Sequence, residues 1–312
     1  MSAAHSTLPI TTAGQRVSPE LQRQAMFAVL CFVWGTTWLG MKVGIAVVPP
    51  GVFAGLRWTV AGLVLMAWRI SQGHPPRLPR RMILRMVLVS LLLISFSQVI
   101  QLYGLRHITA GLAAVISSAL TPIALLGFGA AMGQERFTLR QAGAIALGVM
   151  GILVLFGPKA FTGELRLAEV AGAACVIVST LLYSYGSVLI RPMMRAVAPA
   201  DMAWMTNLIG GGLLLVGALV FEPGAGHTMG LNWGMPAWTA WLYLLIPGSL
   251  LSTLIYFFLV RDWGASRVGT YAFVSPVIAV AVGATLFGEH MELVDVIGMA
   301  LMLTAAGLVL RR

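Results

Sequence analysis

A pair of motifs recurs in this chain. Thr121-Pro122 is followed thirteen residues later by Glu135, and Ser275-Pro276 is followed thirteen residues later by Glu289. Upstream, Trp34, Lys42 and Pro50 stand at the same mutual spacings as Tyr183, Arg191 and Pro199. The chain is therefore two related halves. Each half carries five apolar segments, and an odd number of crossings forces the second copy to enter a bilayer upside down. These constraints point to an all-α membrane protein with ten transmembrane helices, arranged as two inverted five-helix repeats around a central cavity.

Composition supports the membrane reading. Of 312 residues 59% are hydrophobic and 10% charged, against about 25% charged in soluble domains. A hydrocarbon core of about 30 Å needs about 20 apolar residues per helix. Ten segments fit: about 24–48, 50–70, 82–106, 108–133, 138–157, 167–190, 200–221, 237–260, 265–289 and 292–310. The expected divisions are a polar N-terminal tail at 1–23, a first repeat at 24–158, a linker at 159–166 and a second repeat at 167–312. The tail has no apolar stretch of the kind found in a cleaved signal peptide.

The net charge of +10 does not indicate nucleic acid. With the N-terminus placed in the cytoplasm, fifteen of the twenty Lys and Arg residues fall on that side. This is the positive-inside bias, and it places both termini in the cytoplasm of a multi-pass protein. Cys31 and Cys175 fall at different depths, too far apart for a disulfide. Small residues four apart (Gly40 and Gly44, Gly51 and Gly55, Gly129 and Gly133) read as helix-packing contacts.

The placement of ionisable groups narrows the function. All five histidines and all ten carboxylates fall in loops or at helix ends. Buried ionisable groups in lipid mark proton relays and ion paths, so their absence from mid-membrane argues against a membrane hydrolase or a carboxylate-driven antiporter. No enzyme, cofactor or metal site is expected.

Pro122 and Pro276 fall near mid-membrane, where each frees a carbonyl four residues earlier. The hydroxyls around them, Ser117, Ser118 and Thr121 in one copy and Thr270, Tyr271 and Ser275 in the other, either repair the kink or line a cavity. Trp34, Thr37 and Trp38 share one face of the first helix, with Tyr183 and Ser187 as their counterparts on the sixth. Gln98, Gln101, Asn207 and Tyr256 are polar groups within helices, serving as interhelical glue or as substrate contacts. Arg57 is a charge well inside a helix. Snorkelling to the outer interface is its simpler role, and attraction of a substrate carboxylate is the alternative. Glu135 and Glu289 are expected to be capping or gate residues.

Together, Trp34-Gly35-Thr36, Lys42, Pro50 and Leu56-Arg57-Trp58 resemble the opening of an EamA-domain repeat. Ser275-Pro276 through Gly288-Glu289, with Gly298 and Gly307, resembles the close of one. The likeness covers about residues 25–310 in two tandem copies. It implies a member of the drug/metabolite transporter superfamily, similar in layout to the aromatic and neutral amino-acid exporters of the YddG type. Beside Pro122 stand Ser118, Ala119 and Thr121 rather than aromatic residues, which implies a roomier cavity. The expected function is export of small amphipathic metabolites, most simply amino acids, through a bacterial inner membrane by alternating access. Expected partners are that substrate and the lipid bilayer, with a monomer favoured over an oligomer.

Overall fold

The computed structural model describes residues 18–74, 78–160, 166–230, 232–287 and 293–310. Among them the regular structure is helical throughout. The long helices are α1 (Pro19–Ile45), α2 (Pro50–Ser71), α3 (Arg80–His107), α4 (Ala110–Ala131), α5 (Leu139–Ala160), α6 (Leu167–Arg195), α7 (Pro199–Phe221), α8 (Met235–Trp263), α9 (Tyr271–Phe287) and α10 (Leu293–Leu310). Eight of these are long and apolar enough to cross a membrane. The others, α5 with its apolar stretch Leu139–Val154 and the 17-residue α9, lie at the fifth and ninth expected positions.

Helix starts follow from local chemistry. Ser18 accepts a hydrogen bond from the Leu21 N–H at 3.2 Å, with Pro19 at the first helical position. Thr109 does the same for Leu112 at 3.1 Å. Such caps satisfy N–H groups that have no partner within the helix. The start of α2 is capped from another helix. Glu222, at the end of α7, accepts from the N–H groups of Gly51 (3.0 Å) and Val52 (3.2 Å), and from the Tyr103 hydroxyl at 2.7 Å. A carboxylate at a helix N-terminus also meets the positive end of the helix dipole.

The two repeats meet along matched pairs. α2 runs antiparallel to α7, with Arg69 gripping Asp201 in a bidentate pair at 2.7 and 2.9 Å at the end away from Glu222. Between these ties the backbones nearly touch. A Cβ added at Gly62 would lie 2.4 Å from the Leu208 nitrogen, and one at Gly211 would lie 2.4 Å from the Thr59 nitrogen. Gly62 and Gly211 are themselves repeat partners, each twelve residues after its proline, Pro50 or Pro199. Similarly α5 packs on α10, α1 on α9 and α4 on α6. In lipid, helices associate by close packing rather than by hydrophobicity, so glycine at these crossings is the main adhesive.

Two expectations need correction. Gly133 is not a packing residue: its φ of +65° ends α4, a conformation that costs glycine little. Arg57 does not snorkel. It is 3% exposed and points into the bundle. The side of a helix a residue occupies cannot be counted from its distance to the helix end. Cys31 and Cys175 are both free, as expected. Glu289 and most of the 159–166 linker lie outside the described residues.

Symmetry extends to irregularities. The third helix of each repeat widens into π-helical turns, at Leu91–Phe96 in α3 and Leu244–Leu251 in α8. Such turns interrupt the α-helical ladder and recur at functional sites. Here both sit beside the cavity, which Leu93, Ile94 and Gly248 help to line.

Candidate functional site

The cavity lies where α1, α2, α3, α4, α6, α8 and α9 converge, and has a volume of about 150 Å³. Of the residues read as candidate substrate contacts, Trp34, Thr37 and Trp38 on α1, Gln98 on α3, Ser118 and Thr121 on α4, Tyr183 on α6, Tyr256 on α8, and Tyr271 and Ser275 on α9 line it. Ser187 and Asn207 do not. Ser187 turns its hydroxyl back to the Tyr183 carbonyl at 2.8 Å. Asn207 is fully buried on α7, a helix that contributes nothing to the wall, and neither end of its amide finds a partner.

One side of the wall is aromatic. Trp34 is its centre, with ring centroids 4.5 Å from Tyr271, 5.2 Å from Tyr256 and 6.3 Å from Tyr183. Tyr183 and Tyr256 close the group at 5.8 Å. The Tyr271 and Tyr183 contacts are edge-on, the arrangement favoured by the ring quadrupole. Trp34 and Tyr183 are repeat partners, so equivalent positions meet in the middle of the molecule. The hydroxyls of Tyr183 and Tyr256 are buried within this group.

The hydroxyls beside the two prolines bond differently. Thr121 donates to the Ser117 carbonyl at 2.7 Å, repairing its own helix beside Pro122. Ser275, beside Pro276, instead donates to the Cys31 carbonyl on α1 at 2.9 Å. That cross-link holds α9 against α1, and Gly35 allows the approach: a Cβ there would lie 2.7 Å from the Ser275 carbonyl oxygen.

The other side of the wall is polar. Arg57 donates through Nη2 to Gln98 Oε1 at 2.8 Å, and Trp58 Nε1 donates to the same oxygen at 3.3 Å. Gln98 Nε2 passes the chain to Gln101 Oε1 at 3.2 Å. The guanidinium stacks over the Trp58 ring at 4.9 Å, and its Nε has no partner. No carboxylate lines the cavity among the described residues. Sequence reasoning also missed Ser179, Thr180 and Thr253. Helical spacing carried the signal, since Thr180 and Thr253 each stand three residues before a lining tyrosine.

Lys42 and Arg191, the second pair of repeat partners, grip the two ends of α4. Lys42 Nζ donates to the carbonyls of Leu105 (2.5 Å) and Ile108 (2.9 Å), just before α4. Arg191 donates to the Gln134 carbonyl at 3.4 Å, just after it. Glu135 accepts from the Ser266 N–H at 3.1 Å and so caps the helical turn Ala265–Val268 that leads into α9.

The cavity predicts a steric outcome. Ser118 is a small side chain on its wall, so Ser118→Trp is expected to fill the space. The variant should lose bulky substrates first while its thermal stability stays near that of the parent. A panel of labelled substrates graded by size checks this, and unchanged acceptance of the largest would refute it.

Known proteins agree with this architecture. The EamA-like transporter family matches residues 24–157 and again 170–311. A protein named uncharacterized inner membrane transporter YedA of Escherichia coli (strain K12) is 28% identical over 289 residues, covering 91% of this chain and 89% of that one. The uncharacterized transporter YvbV of Bacillus subtilis (strain 168) is 28% identical over 295 residues, with 93% and 92% covered. Protein PagO of Salmonella typhimurium is 24% identical over 267 residues, with 84% of each chain covered. A crystal structure with 18% sequence identity superposes with a TM-score of 0.74 over 92% of this chain, which shows a shared fold. A duplicated helical bundle closed around one cavity, matched in both halves, makes this chain a multi-pass membrane protein of the EamA-like transporter family.

Proposed function

We propose that the protein is an inner-membrane permease that exports small amphipathic metabolites, in the first place aromatic and other neutral amino acids, by alternating access. The observation that carries this reading is a cavity with two kinds of wall. Trp34, Tyr183, Tyr256 and Tyr271 form an aromatic wall, while Arg57, Gln98 and Gln101 form a polar one. A zwitterion with an apolar side chain matches such a surface, and a ring near an ammonium contributes about 0.5–2 kcal/mol. The inverted pairing of α1 with α9 and α4 with α6 supplies two equivalent halves that can rock against each other. The Lys and Arg asymmetry supports cytoplasmic termini.

With no carboxylate lining the cavity among the described residues, transport is expected to run down the substrate's own gradient. Purified protein in liposomes loaded with unlabelled amino acid should take up labelled amino acid by counterflow. Imposing a proton gradient should change the rate little. Accumulation driven by a pH step, lost in Glu135→Gln, would establish proton coupling instead. Uptake of cationic dyes without amino acids would replace the amino-acid reading with a multidrug one.

A further inference from the structure

The geometry points to Arg57 as a carboxylate anchor, making one anionic oxygen group on the substrate a requirement for binding. This inference rests on the cavity being the transport site and adds the substrate class that the site selects. The argument begins with donor and acceptor bookkeeping. A guanidinium only donates hydrogen bonds, so the Gln98 carboxamide must turn its oxygen toward Arg57, as observed at 2.8 Å. Its nitrogen is then committed to Gln101, which must answer with its own oxygen, as observed at 3.2 Å. Gln101 is left with its NH₂ as the group still to be satisfied. The Arg57 Nε likewise has a proton and no acceptor. The chain that begins at Arg57 and ends at Gln101 is therefore short of acceptors. A carboxylate only accepts, and a planar guanidinium matches it.

Charge leads to the same ligand. Arg57 is buried, at 3% exposed, and no carboxylate pairs with it among the described residues. Among the described residues it is the only Lys or Arg lining the cavity, and no Asp or Glu lines it. An unpaired cation in a low-dielectric site is costly, and in membrane proteins such charges mark substrate paths. Every other element of the wall is neutral, so an anion arriving at Arg57 restores charge balance. The repeat breaks its symmetry here. The position matching Arg57, seven residues after Pro199 as Arg57 follows Pro50, is Thr206. Its hydroxyl donates to its own helix at the Met202 carbonyl, 2.8 Å away, and it does not reach the cavity. The cation is therefore one-sided. It also disfavours the cationic dyes of the alternative reading.

The test compares ligands that differ only in the carboxylate. L-Leucine and L-phenylalanine are paired with their amides, and 3-phenylpropionate with 3-phenylpropionamide. Binding to the full-length protein in detergent is read by tryptophan fluorescence, and transport is read in proteoliposomes. Each acid is expected to bind the wild type about tenfold or more tightly than its amide, a difference of about 1.4 kcal/mol. In Arg57→Gln that ratio should collapse toward one, and Arg57→Lys should restore part of it. A purely structural arginine would weaken acid and amide alike and leave the ratio unmoved, which would overturn the proposal. Gln101→Leu, which removes the terminal donor without touching the charge, should lower the ratio and serves where Arg57→Gln does not fold. Equal binding of acids and amides by the wild type also overturns it, even if amino acids are transported. Conversely, a preserved acid preference in 3-phenylpropionate with no transport of any amino acid upholds the anchor and defeats the amino-acid reading.

Discussion

Replacing Gly62 with leucine should remove most of the folded protein from the membrane. The Leu208 nitrogen lies 2.4 Å from where a Cβ would stand, and backbone cannot swing aside as a side chain can. Overpacking of this kind costs about 1–3 kcal/mol where neighbours relax, and here the neighbour is a helix axis tied at both ends by Arg69–Asp201 and by Glu222. Gly211→Leu should match it, because its added Cβ meets the Thr59 nitrogen at the same distance. Gly212→Leu is the control: the next residue on α7 has open space where its Cβ would go. Melting temperatures in detergent and membrane yields should therefore separate 62 and 211 from 212. Equal behaviour of all three variants would mean the α2–α7 contact is looser than the geometry indicates.

Trp34→Ala should cost transport more than any other single aromatic truncation. Its ring touches three tyrosines, and each such pair contributes about 0.5–1.5 kcal/mol. Losing the ring also removes a face for a bound ammonium, another 0.5–2 kcal/mol or so. A fall in transport of tenfold or more is expected, with Tyr183→Ala lower than wild type but above Trp34→Ala, and Trp38→Ala reduced as well. Trp34 is only half buried, so losing these contacts should lower the melting temperature while still leaving a folded protein in the membrane. Normal transport by Trp34→Ala would place the substrate elsewhere. Failure of the variant to accumulate would mark Trp34 as a core residue instead.

Much of this architecture was legible before any coordinates. Hydropathy alone placed the helices, because a lipid-facing helix is apolar all round and needs no periodicity to be recognised. The repeat then supplied pairings, and Trp34 with Tyr183 shows how far that reaches: two matched positions in sequence became neighbours in space. Facing direction was harder to read. Arg57, placed at the outer interface by counting from the helix end, points inward, and Asn207, grouped with cavity residues because it is polar and mid-helix, points elsewhere. A fully apolar helix offers little amphipathic contrast to reveal which side faces the bundle. Ser187 misled for a different reason, since a helical serine can satisfy itself on the carbonyl four residues back and need not face a ligand.

The α2–α7 contact has a further consequence. Gly62 meets Leu208, and Gly211 meets Thr59. Thr59 and Leu208 each stand three residues before the glycine of their own helix, nine residues beyond Pro50 and Pro199 respectively. Position i of one repeat thus touches position j of the other, and j touches i. That reciprocity defines an isologous interface, the kind formed by two copies of a single chain about a two-fold axis. The contact is thus of the type that would join two separate five-helix subunits, and it owes nothing to the peptide linker between them. Because both halves stand in one chain, each side of that interface can change alone, and Arg57 with Thr206 at the matching position of the other repeat is one such difference.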